Sequence, residues 1–76
     1  MTYTGRVVAS HKSRLRDGWR IAIQTDDGLI HLYTRQGSPL NEPRGAKAYS
    51  HGATVVVEAT QVGQRSALAI DSIKVA

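Results

Sequence analysis

Trp19-Arg20-Ile21-Ala22-Ile23-Gln24-Thr25-Asp26-Asp27-Gly28-Leu29-Ile30-His31-Leu32-Tyr33-Thr34 carries the strongest structural signal in the chain. Trp19, Ile21 and Ile23 alternate with Arg20 and Gln24. That period of two puts one face of a β-strand on a core and the other in water. Asp26-Asp27-Gly28 follows at once, and an Asp-Gly pair accommodates the positive φ of a tight strand connection. The return run, Leu29 to Thr34, sets Ile30 and Leu32 on one face against Leu29, His31 and Tyr33 on the other. A β-hairpin is predicted, with Arg20, His31 and Tyr33 sharing its outward face.

Upstream, Tyr3 to Ala9 is β-rich and carries Val7 and Val8. Downstream, Arg35 to Gly52 holds both prolines and no sustained periodicity. It reads as a long loop with one helical turn around Ala46 to Ser50. Ala53 to Gln61, with Val55, Val56 and Val57, is the most β-prone run. Ala67 to Val75 is the last strand, and its apolar phase changes from Leu68 and Ile70 to Ile73 and Val75. That change predicts a bulge near Asp71-Ser72. The sum is one all-β domain over residues 1–76. Five short strands with irregular chain between the third and fourth match a five-stranded, OB-like small barrel. An SH3-like barrel is the competing architecture, and the long third connection favours the former.

The chain of 76 residues has no cysteine, so neither disulfides nor a thiolate metal site can staple it. A domain this small buries only about 60% of the surface of its unfolded chain, which makes dimerisation a natural source of further burial. Ten Lys and Arg against six Asp and Glu give a formal charge of +4. That balance favours anionic partners, nucleic acid first. The basic residues are not laid opposite an apolar stripe on a helix, as a membrane-surface segment requires. No run reaches the length of a membrane span. A soluble cytoplasmic protein is expected, and a cysteine-free chain fits a reducing compartment.

Lys12, Arg14, Arg16 and Arg20 fall within the ten residues His11 to Arg20, beside the only tryptophan. A basic, glycine-containing arm on a β scaffold suits an extended polyanion, and an aromatic neighbour suits its bases. The candidate nucleic-acid-binding residues are Arg6, Lys12, Arg14, Arg16, Trp19, Arg20, His31, Tyr33 and Arg35. The cations would follow phosphates, while Trp19 and Tyr33 would stack on bases. Trp19 reads either as a core anchor or as a stacking platform. Tyr3 and Tyr49 are expected to pack. Arg44, Lys47 and Arg65 read as solvated charges, and Lys74 as a charge on an edge strand. His11, His31 and His51 lack the short spacing of metal ligands, and Asp26-Asp27 belongs to a turn rather than a calcium loop. No serine has a recognisable base beside it and no carboxylate pair stands out, so neither an enzyme, a cofactor nor a small-molecule substrate is expected.

Val62-Gly63-Gln64, Leu68, Ile70-Asp71 and Ile73-Lys74 resemble the carboxy-terminal hairpin of filamentous-phage single-stranded-DNA-binding proteins. Ala48-Tyr49-Ser50-His51-Gly52 resembles the segment leading into it, and Ser13-Arg14-Leu15-Arg16-Asp17-Gly18-Trp19 resembles the family's basic wing. The resemblance implies phosphate contacts for Arg14 and Arg16 and the wing's aromatic position for Trp19. It also implies a homodimer that coats a replicating strand, in the host cytoplasm. Arg65 stands where that family places an aromatic, and Ser72 where a basic residue is expected. Thr4-Gly5-Arg6-Val7, Gly18-Trp19, Asp26-Asp27-Gly28 and Gly52 also follow the order of cold-shock domains, without their aromatic motifs. The expectation is a single-stranded nucleic-acid binder, DNA before RNA, without strong sequence preference. The alternatives are an RNA-binding barrel of cold-shock or translation-factor type, and a module that binds an acidic protein through the valine strand as an exposed edge.

Overall fold

The computed structural model describes residues 1–12, 18–35, 38, 40 and 48–76. They form β1 (Thr2–Lys12), β2 (Trp19–Thr25), β3 (Gly28–Thr34), β4 (Thr54–Thr60) and β5 (Leu68–Val75). The strands close into a barrel in the order β1-β2-β3-β5-β4, and β4 returns to β1. Among the described strands only the β3–β5 pair is parallel. The expected all-β, OB-like barrel is the observed one.

The first strand is longer than Tyr3–Ala9 because it serves two neighbours. Residues 2–6 of β1 pair with β4, and residues 6–12 pair with β2. A bulge lets it do so: Val7 pairs with Ile23 but Ala9 with Ala22, leaving Val8 as the extra residue. An inserted residue bends a strand and reverses which face later side chains take. Before the bulge Val7 is buried, and after it Ser10 pairs with the buried Ile21. The Ser10 hydroxyl is buried and unpartnered among the described residues. Gly5 sits where β1 changes neighbours, and a β-carbon there would lie 2.5 Å from the Gln24 carbonyl oxygen. Only a residue without one permits that approach.

The hairpin between β2 and β3 forms as read. Thr25 pairs with Gly28 across Asp26-Asp27, and the positive φ, 121°, falls on Gly28 alone. The Thr25 hydroxyl accepts the Asp27 N–H at 3.1 Å and donates to the Gly28 carbonyl at 2.8 Å. The bulge in the last strand also lies where the apolar phase changes. Glu58 pairs with Ser72 and Ala59 with Ile70, so Asp71 is the extra residue.

Val7, Ile21, Ile23, Leu32, Val55, Val57, Ala59, Leu68 and Ile70 fill the barrel. Each large aliphatic side chain contributes about 1.5–3 kcal/mol by leaving water. One end of the barrel is stoppered by a short 3₁₀ turn at Ala48-Tyr49, within the helical turn expected at 46–50. Residues 46 and 47 lie outside the described residues. The Tyr49 ring is 2% exposed, and its hydroxyl donates to the Leu40 carbonyl at 3.0 Å. Burial pushes the Tyr49 phenol up to about 12, because a phenolate is poorly solvated there. The valine strand β4 is no free edge, since β1 and β5 flank it. That corrects its expected role as an adhesive edge. On β5 the parallel ladder reaches only Ile70, so Lys74 lies beyond it.

Candidate nucleic-acid interface

The outer face of β1, β2 and β3 carries three cross-strand rows. Arg6, Gln24 and Leu29 form the first, and Ala9, Ala22 and His31 the second. His11, Arg20 and Tyr33 form the third, which continues to Ala69 on β5. Facing residues on adjacent strands lie about 4.5–5.5 Å apart, so His11, Arg20 and Tyr33 make one cationic-aromatic strip. His31 sits diagonally from Arg20, beside small Ala22. The alanines leave a shallow depression of about 240 Å³ bordered by His11, Arg20, His31 and Ala67. That is below the roughly 300–1,000 Å³ of small-molecule pockets, and its form is an open groove.

Arg20, His31 and Tyr33 therefore share a face, as the hairpin pattern predicts. His11 joins them, which sequence reasoning missed. Without the bulge at Val8, Lys12 would take the face of Arg20. With it, Lys12 pairs opposite Trp19, on the side of the sheet that carries Ile21 and Ile23. The adjacent Val7 and Val8 were the available signal, since two neighbouring valines break strict alternation.

Tyr33 is the larger correction. It points to the outer face as expected, yet it is only 6% exposed and lies outside the core cluster. The Arg65 guanidinium carbon stands 5.4 Å from its ring centroid, and Arg20 and Ala69 pair on either side of it. Arg65 is thus no simple solvated charge. It projects from the connection between β4 and β5, in a turn where Gly63 takes φ 58° and the Arg65 N–H meets the Val62 carbonyl at 3.3 Å. The Gln61 amide braces the turn by donating to the Gly63 and Arg65 carbonyls.

Trp19 belongs to the other side of β2. Its ring stacks on Tyr49 with centroids 4.9 Å apart and planes 24° off parallel, and it packs partly buried against the core. One of its faces is taken. The Trp19 backbone N–H donates to the Thr34 hydroxyl at 2.7 Å, which fixes the start of β2. Tyr3 packs against the core, as expected. Arg6 is exposed at the far row of the outer face. Arg35 is paired with Asp71 at 3.1 Å while about half of its side chain stays exposed. Asp71 also accepts the Thr60 hydroxyl, so the β5 bulge is what anchors Arg35. Arg14 and Arg16 lie outside the described residues.

Among the described residues, no His, Asp and Glu side chains gather as metal ligands would. No helix among them is long and apolar enough to cross a membrane. Neither a protein-family model nor a curated protein matches the chain.

Proposed function

We propose that this barrel binds single-stranded nucleic acid, DNA in preference to RNA, along the outer face of β1, β2 and β3. The observation that carries the reading is the strip His11, Arg20, Tyr33 with the Arg65 guanidinium against the ring, next to His31. Cations in that arrangement follow a phosphate backbone, and a ring among them can stack on a base once its face is uncovered. The face holds few amides able to read base edges, so binding would be largely independent of sequence. By the phage resemblance, the working unit is a homodimer on a replicating strand. The protein-interaction reading loses its adhesive edge, because β4 is paired on both sides.

The test is anisotropy of labelled oligothymidine, oligouridine and a duplex across a salt series. With four or five phosphate contacts the log-log slope should be about −3. Arg20→Ala should weaken all single strands alike and reduce that slope by about 0.7. Equal affinity for duplex, or a slope that Arg20→Ala leaves unchanged, would remove the face from the reading.

A further inference from the structure

We infer that Arg65 is a gate over Tyr33, and that an unpaired base must displace its guanidinium before it can stack on the ring. The inference rests on the outer face being the nucleic-acid interface. Among the described residues Tyr33 is the one Tyr or Trp on that face, and it is 6% exposed with the Arg65 guanidinium carbon 5.4 Å from its ring centroid. The cover is built rather than incidental. Gly63 in the left-handed region turns the chain back, the Val62 carbonyl closes the turn, and Gln61 braces two of its carbonyls. Ala69 of β5 pairs beside Tyr33 and adds no bulk, while Arg20 of β2 pairs on its other flank. Arg65 itself is exposed on its surface turn, and its contact with the ring is of a kind that a base can replace.

The consequence is selectivity among polyanions. A base-free phosphate chain gains from Arg65 as one more cation and has no reason to lift it. A duplex keeps its bases stacked on one another and cannot exchange them for the guanidinium. A single strand can, and Arg65 once lifted remains near the phosphates. Arg65 thus sets the preference for unpaired bases through competition, not through added contact.

The experiment compares oligothymidine with an abasic oligomer of equal length, against wild type, Arg65→Ala and Arg65→Lys. Arg65→Ala should weaken the abasic oligomer, since a cation is lost, while raising the ratio of thymidine to abasic affinity about two- to fivefold. Arg65→Lys should restore abasic binding, with a ratio between the other two. Nitration of Tyr33, mapped by mass spectrometry without nucleic acid, should be slow in wild type and faster in Arg65→Ala. A ratio that stays level or falls in Arg65→Ala, with binding intact, overturns the gate alone. No binding of either oligomer by any of the three proteins overturns the interface and the gate with it.

Discussion

Tyr49 and Tyr33 are both almost out of water, but different chemistry covers them. Tyr49 stoppers the barrel under the Trp19 ring, with its hydroxyl on the Leu40 carbonyl and aliphatic core around it. Tyr33 lies on the outer face beneath one guanidinium from a surface turn. Aromatic stacking within a core adds to apolar burial, and opening it exposes all of that area at once. A cation on an aromatic face is worth about 0.5–1 kcal/mol at an exposed site, little enough for a ligand to match. The same low exposure thus marks a permanent part of the fold in one place and, on the proposed reading, a covered binding surface in the other.

The comparison breaks most visibly at the stopper. Tyr49→Ala should cost about 3–5 kcal/mol in denaturant unfolding, a large share of the stability of so small a domain, and should loosen Trp19 in near-ultraviolet circular dichroism. Tyr33→Ala sharpens the contrast. It should lower stability less, by about 1–3 kcal/mol, and its main effect should be on oligothymidine affinity, by about 1–3 kcal/mol for one lost stack. Equal stability losses at the two tyrosines would erase the distinction. The smallest effect isolates the Tyr49 hydroxyl. Tyr49→Phe should cost about 1 kcal/mol at neutral pH through loss of the bond to Leu40.

The alkaline limb of that experiment has a definite sign. The folded state holds the Tyr49 phenol at about 12, above its ordinary 10, and so favours the neutral form. The resulting stabilisation is whole below pH 10 and lost as pH rises from 10 through 12. Unfolding titrations of both proteins should show the wild-type advantage over Tyr49→Phe shrinking across that window. A constant difference would mean that the phenol is not buried.

The features legible in the sequence are those encoded by neighbours. The hairpin follows from Asp26-Asp27-Gly28 between alternating runs, and the Asp71 bulge from the phase jump between Ile70 and Ile73. The fate of each aromatic is set by partners far along the chain. Tyr49 stacks on Trp19, and the Arg65 guanidinium packs against Tyr33. Alternation gave the direction of Tyr33 correctly and its exposure wrongly, because period two says which way a side chain points and nothing about what folds over it. The exchange of His11 for Lys12 on the outer face shows a subtler limit. A single bulged residue, Val8, reassigns every side chain beyond it.

The parallel seam between β3 and β5 is short, joining only Leu32 to Leu68, Tyr33 to Ala69 and Thr34 to Ile70. It ties the middle of the chain to its last strand, so closure demands a long loop entropy before it returns any contact. Until that strand docks, the side of β3 that will receive it is an open template for another chain. The same event delivers Ala69 and Arg65 to Tyr33. A molecule whose last strand has not docked therefore presents both an unpaired strand edge and a Tyr33 ring without its β5-side neighbours.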